Sequence, residues 1–161
     1  MSKFLKLVQK QKFAKEIKKQ HFNLEAKTNA NRGVTVCACG SQKAYTSCCR
    51  LIHHNIHLAN SPLSLMKSRY TAYVLGNIDF LMRSHHSSTR PTNEKEAILA
   101  WTNSITWLRL EIIEETVPTN EVGYVTFIAS YLEKGQQNRI YETSRFLKED
   151  KHWVYVDGTH L

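Results

Sequence analysis

No apolar run in this chain approaches the ~18–20 residues that a bilayer-spanning helix needs, so no such helix is expected. The first residues hold lysines but no 7–15-residue apolar stretch and no small-residue cleavage site, so a secretory leader is not expected. Several catalytic signatures are absent too: a glycine-rich phosphate loop, a G-x-S-x-G elbow and an H-E-x-x-H pair. A mitochondrial presequence would be rich in arginine, whereas the N-terminal segment offers many lysines and one arginine, Arg32. On these absences a cytoplasmic protein is expected. Acidic residues are in deficit, 14 against 22 Lys and Arg, and this leaves a net charge of +8. What remains is an ordinary soluble composition, 42% hydrophobic and 10% aromatic, enough for one compact domain and a small appendage.

The excess charge is concentrated. Residues 1–36 hold nine Lys/Arg against Glu16 and Glu25, so most of the +8 sits in under a quarter of the chain. A basic arm on a near-neutral body is drawn to a polyanion such as RNA, or to an acidic protein face. The plainer alternative is a solvated leader that aids solubility. At helical spacing Phe4, Leu5, Leu7 and Val8 fall on one side while Phe13 and Ile17 fall nearly opposite, which argues against a membrane-surface helix.

All four cysteines lie in one short stretch, Cys37-Ala-Cys39-Gly-Ser-Gln-Lys-Ala-Tyr-Thr-Ser-Cys48-Cys49. In a reducing compartment such clustering points to a metal ahead of disulfides. Four thiolates satisfy the tetrahedral preference of zinc and leave no vacant position, so one structural zinc ion is expected. Gly40 permits a sharp turn after the first pair, Ser41 can cap the next turn, and Lys43 can offset part of the thiolate charge. His53, one helical turn past Cys49, is a reserve ligand; His54 and His57 are weaker ones. Four unmetallated thiols or a redox pair are the alternatives. With the cysteines assigned to zinc, none is left as a nucleophile.

Beyond the cluster the apolar period is first helical and then two. Ser61, Pro62 and Gly76 mark the start and end of a helix over 62–75, with Met66, Tyr70, Tyr73 and Val74 on one face. Asn77 caps a shorter helix using Ile78, Leu81 and Met82. Asn93 with Glu96 reads as a capping box opening a third, with Ala97, Ile98 and Trp101 on its apolar side. From Trp107 onward four alternating segments separated by short breaks predict an antiparallel meander. In the first segment Leu108, Leu110 and Ile112 alternate with Arg109 and Glu111. The class is α+β, with helices on one face of a curved sheet.

The cysteine string with its Cys-Gly-Ser resembles the SEC-C zinc motif, and the continuation Cys-Cys-Arg-Leu-Ile-His53 resembles its YchJ-like subgroup. In that motif the four ligands match Cys37, Cys39, Cys48 and Cys49. The strings Leu65-Met-Lys-Ser-Arg69-Tyr70-Thr-Ala-Tyr73, His86-Ser-Ser-Thr-Arg90-Pro91, Glu142-Thr-Ser-Arg145-Phe146 and Trp153-Val-Tyr-Val-Asp157-Gly158 look like the same bacterial family. The resemblance covers roughly residues 37–158. It implies an N-terminal zinc knuckle over 37–57 and a cone-shaped nuclear-transport-factor-2-like domain over 60–161, with the basic arm, residues 1–36, outside it. It also implies a fold and a metal without an activity. His85 stands where the family often has Trp, and Ser87 where it often has Pro. No second SEC-C motif follows, so a role that needs two knuckles is not expected.

Folds of this kind often enclose a pocket. The candidate polar groups are Arg69, Tyr70, His86, Arg90, Glu142, Arg145 and Asp157. A His beside a carboxylate performs acid–base chemistry only where the two converge in a cleft. The plainer expectation is an ion-pair network of Arg69, Glu142 and Arg145 bracing helix against sheet. Trp101, Trp107 and Trp153 sit at core-facing spacing. The sequence therefore predicts a non-enzymatic zinc-binding interaction module whose partner is a protein, the ribosome or RNA. A small-ligand binder or enzyme using the cone pocket is the second reading.

Overall fold

A computed structural model describes residues 35–161. The expectations for the basic arm fall almost wholly outside these residues. Thr35 and Val36 do not belong to an arm in structural terms. Val36 bridges Ala44, and the Tyr45 amide donates to the Thr35 carbonyl, so both residues open the cysteine hairpin.

Helix α1 (Cys49–His54) closes that hairpin, and a short 3-10 turn, Ile56–Leu58, leads out of it. Helix α2 (Pro62–Leu75) begins as the sequence predicts. The Ser61 hydroxyl accepts from the Ser64 amide, Ser64 answers at the Ser61 amide, and Pro62 fills the first helical position. Gly76 ends the helix at φ +67°, a conformation that costs a residue with a Cβ. Helix α3 (Ile78–Arg83) is capped by Asn77, whose side chain accepts from the Phe80 amide.

Helix α4 (Lys95–Ser104) starts differently from the expected capping box. A 3-10 turn, Thr92–Glu94, feeds straight into it, and the Glu94 amide donates to the Pro91 carbonyl. The first amides thus find backbone partners three residues back, and neither Asn93 nor Thr92 caps the helix.

Strands β1 (Thr106–Thr116), β2 (Val122–Glu133), β3 (Gln136–Glu149) and β4 (His152–His160) form one antiparallel meander in sequential order. Each strand pairs with its neighbour in the chain, so short turns suffice. On the inner face Val125, Phe127 and Ala129 of β2 oppose Ser144, Glu142 and Ile140 of β3. The expected alternation in β1 is broken by bulges between Trp107 and Arg109 and between Ile112 and Glu114. The first bulge adds a residue, so Trp107 and Leu110 both turn to the core and Leu108 is left exposed. A third bulge, between Arg145 and Phe146, bends the β3–β4 pair.

Helix α2 lies across β1, β2 and β4, while α4 packs on α3. The core between helices and sheet centres on Leu65, Tyr70, Phe80, Leu81, Phe127 and Phe146. At one point the approach is very close. Any Cβ at Gly123 in β2 would collide with the buried ring of Pro62, so the absent side chain sets the distance between helix and sheet. The helix start is tied down again where the Leu63 amide donates to Glu115 Oε1 at 2.9 Å. The architecture is the expected one, a cysteine knuckle followed by helices packed on a curved antiparallel sheet. No helix among the described residues is long and apolar enough to cross a membrane.

Candidate metal centre and domain cavity

The four sulfurs are brought together by a tight hairpin. The Cys37 amide donates to the Lys43 carbonyl at 2.8 Å, and the turn between passes through Gly40 at φ +80° and Gln42 at φ +61°. A 3-10 turn, Tyr45–Ser47, then swings the chain back, so that Cys48 and Cys49 enter α1 facing the first pair. All four Sγ atoms lie within 4.8 Å of one another. Cys39 and Cys48 are 3.6 Å apart, and Cys48 and Cys49 are 4.0 Å apart. In a tetrahedral thiolate site with metal–sulfur bonds of ~2.3 Å, the sulfurs sit about 3.8 Å from each other. These residues therefore fit a tetrahedral cation.

Their surroundings suit charged sulfur. Cys37, Cys39 and Cys49 are buried. The Ser41 hydroxyl stands 3.2 Å from Cys48 Sγ, in addition to accepting from the Lys43 amide as its expected capping role requires. From α2, the Thr71 hydroxyl donates to Cys49 Sγ at 3.4 Å and lies 3.8 Å from Cys37 Sγ. Without a cation the thiols share protons among themselves. Hydrogen bonds from Cys39 and then Cys49 hold Cys37 well below the usual thiol range. Cys49 is pushed far above it by Cys37, then Cys39, then burial. A second thiolate in so small a volume needs a positive partner, and a dication would supply one.

His53, the reserve ligand, is engaged elsewhere. Its Nε2 is 2.8 Å from the Ser68 carbonyl, and its Nδ1 is 2.9 Å from the Tyr45 hydroxyl. A carbonyl only accepts, so Nε2 carries the proton and Nδ1 accepts from Tyr45. Burial lowers its pKa and favours this neutral form. His54 and His57 are exposed on the far side of the turn, with His57 edge-on to His152.

The second feature is a cavity of about 210 Å³ between α2 and the sheet. Three of the seven candidate polar groups line it: Arg69, Tyr70 and Glu142. The other four do not. Arg145 and Asp157 face each other in a two-pronged pair, at 3.0 and 2.6 Å, on an exposed part of the sheet. His86 lies in the loop after α3, with Nδ1 2.7 Å from the Ser88 hydroxyl and Nε2 3.7 Å from Glu149. Arg90 braces that loop by donating to the His85 carbonyl.

The expected network of Arg69, Glu142 and Arg145 does not form. Arg69 donates instead to the Leu81 carbonyl and the Ser84 hydroxyl, at 2.9 and 2.7 Å, and lays its guanidinium 4.5 Å from the centre of the Tyr155 ring. Glu142 accepts from Ser144 Oγ at 2.6 Å and approaches His160 Nδ1 at 3.8 Å. The aromatic wall of Tyr73, Trp101, Trp107 and Tyr155 is absent from the sequence-based candidates. Thr71 is missing too. Helical periodicity places Thr71 beside the core residue Tyr70 but gives no sign that it meets a cysteine 22 residues earlier.

Comparison with known proteins gives a consistent picture. Residues 61–158 match the family model for the YchJ middle NTF2-like domain. A UPF0225 protein of Vibrio cholerae is 41% identical over 123 residues, covering 76% of this chain and 81% of the relative. Its counterpart in Vibrio parahaemolyticus is 37% identical over 124 residues, covering 76% and 74%. The solution structure of a SEC-C motif-containing protein from Rhodopseudomonas palustris superposes with a TM-score of 0.72 at 29% identity, covering 79% of this chain and 99% of that one. A crystal structure of a SEC-C motif-containing protein from Psychrobacter arcticus shares the fold, with a TM-score of 0.68 at 21% identity over 79% and 83% of the two chains.

Proposed function

Since the chain belongs to the YchJ-like family, whose members join a SEC-C cysteine motif to an NTF2-like domain, we propose that it is a non-enzymatic interaction module built around one structural zinc ion. The observation that carries this reading is the closed quartet of sulfurs, all within 4.8 Å. Four protein thiolates complete the coordination shell, so no position remains for water or substrate. Soft, tetrahedral sulfur ligation selects zinc over the hard cations.

The knuckle presents a compact outer face. Within the knuckle Lys43, Gln42, Thr46, Ser47 and Arg50 are exposed, as are two large apolar side chains, Val36 at 46% and Leu51 at 49%. Basic groups around exposed aliphatics suit a partner surface that is acidic with an apolar centre. The positive charge of residues 1–36 adds long-range attraction of the same sign. A protein partner, or a ribosomal surface including its RNA, answers to this description. The reducing cytoplasm is where four thiols persist for metal.

The test compares wild type with the double variant Cys48→Ser/Cys49→Ser in affinity capture at low and raised salt. The expected result is about one equivalent of zinc in wild type and a partner that the variant loses. Truncation of residues 1–33 should reduce the salt dependence of capture. Iron or no metal on elemental analysis, or capture indifferent to both salt and the cysteines, overturns the reading.

A further inference from the structure

The cavity under α2 combines an aromatic lining with a carboxylate, Glu142, that retains acceptor capacity. We propose that this cavity binds a small organic ammonium ion, its charge set against Glu142 and its carbon substituents against Tyr70, Tyr73, Trp101 and Trp107. The inference goes beyond the knuckle and does not rest on its metal.

Glu142 carries the first part of the argument. Its side chain is 12% exposed, and among the described residues it receives one hydrogen bond, from Ser144 Oγ, and one long approach from His160, an imidazole that is itself 74% exposed. An ionised carboxylate offers about four acceptor positions, so Glu142 keeps acceptor capacity for a guest beyond its bond from Ser144. Arg69, which lines the same cavity, makes no ion pair with it among the described residues. That guanidinium is spent on the Leu81 carbonyl, the Ser84 hydroxyl and the face of Tyr155. The backbone also keeps space for the carboxylate at this spot. A Cβ at Gly158 would collide with Glu142, so the glycine lets the side chain lie where it does.

The walls carry the second part. Trp107 lies at the centre of a cluster in which Tyr70, Tyr73 and Trp101 have ring centroids 5.5, 5.9 and 5.6 Å from its own. Trp107 is fixed by its indole N–H, which donates to Thr102 Oγ1 at 2.9 Å. Tyr70 is 3% exposed and lines the cavity. Aromatic faces carry negative electrostatic potential and attract a cation directly.

Charge and size narrow the class of guest. An anion would meet Glu142, while Arg69, the cation of the lining, is already turned to the Leu81 carbonyl, Ser84 and the Tyr155 ring. A neutral apolar guest would strip water from the carboxylate and return nothing. The volume of about 210 Å³ lies below the ~300–1,000 Å³ of sites for drug-sized ligands. An ammonium group bearing a few carbons meets all three conditions.

The experiment titrates the full chain with choline and with methylammonium, following the three indole N–H signals by NMR. The neutral control is 3,3-dimethylbutan-1-ol, which has the shape of choline without its charge. Saturable binding of at least one ammonium is expected, with the Trp101 and Trp107 signals moving. Trp153, outside the cavity lining, serves as the internal control and should stay put. The neutral alcohol should bind at least ~10-fold more weakly, and Glu142→Gln should weaken ammonium binding at least ~10-fold. If that variant does not fold, the contrast between choline and the alcohol in wild type decides alone. Equal affinity for the two, no saturation by either ammonium, or unchanged binding in folded Glu142→Gln overturns the proposal.

Discussion

His53 joins the knuckle to the body of the protein by donating from Nε2 to the Ser68 carbonyl, 2.8 Å away in the middle of α2. Its other nitrogen accepts from Tyr45, on the cysteine side, and its ring lies 4.5 Å from the centre of Phe80 in the core. Arg83 adds a hydrogen bond to the His53 carbonyl. One buried imidazole thus spans both units of the chain. Replacing it with alanine strands the Tyr45 hydroxyl and opens a gap beside Phe80. We expect His53→Ala to lose about 1–3 kcal/mol in urea unfolding, while metal content stays at the wild-type level. Loss of metal with stability retained would make His53, and not Cys49, the fourth ligand.

The cysteine quartet makes its own prediction. Cys39→Ser should remove the bound metal yet leave the far-ultraviolet sheet signal nearly unchanged, because the sheet and helices α2–α4 have a core of their own. Uptake must also release protons, since Cys49 and Cys39 are held above the ordinary thiol range by their sulfur neighbours. Affinity should therefore fall as pH drops from about 8 to about 6, and a chelator competition across that range measures it. A flat profile contradicts the proton-sharing arrangement.

His85 predicts an acid-side loss of stability. Burial, and after it the nearby positive charge of Arg69, lowers its pKa to about 4 from the ordinary 6.5. The folded protein therefore holds it neutral while the unfolded chain protonates it. The contribution is whole above pH 6.5 and is lost as pH falls through the folded value near 4. It amounts to at most about 3 kcal/mol. His85→Phe keeps an aromatic ring against Tyr155 and cannot titrate, so its unfolding free energy should change less than wild type between pH 6.5 and 4. Parallel curves for the two proteins would show that the group contributes nothing.

Gly123 predicts a packing defect with no polar component. A methyl group there meets the rigid ring of Pro62, which is itself fully buried and cannot swing aside as a flexible side chain would. Gly123→Ala should cost about 1–3 kcal/mol by forcing α2 away from β2. Thermal unfolding reads this directly, and a variant as stable as wild type means that helix and sheet can separate without penalty.

The boundaries of α2 are written locally, and so they are legible. Ser61, Pro62 and Gly76 act on the backbone beside them, and α2 begins and ends where they say. The cysteine quartet is legible for the same reason, since its hairpin closes within its own stretch of chain. The start of α4 departs from its sequence pattern because Pro91 offers its own carbonyl in place of the Asn93 side chain. Inward-facing residues of β1 depart from strict alternation because a bulge adds one residue without any mark in that pattern. Pocket residues are the least legible. Glu142 meets Ser144 and His160, while Arg145, three residues on and so on the other face of β3, meets Asp157, and spacing alone does not name such partners.

The sequential order of the meander has a consequence for the birth of the molecule. Each strand after β1 finds a partner in the strand made just before it, and the sulfur hairpin precedes them all. Contact order within the sheet is low, whereas α2, made before the sheet, waits for β1, β2 and β4 to bury its inner face. The meander can therefore add strand to strand as it leaves the ribosome, and the cysteine hairpin can gather its sulfurs before the helix that shields it has emerged.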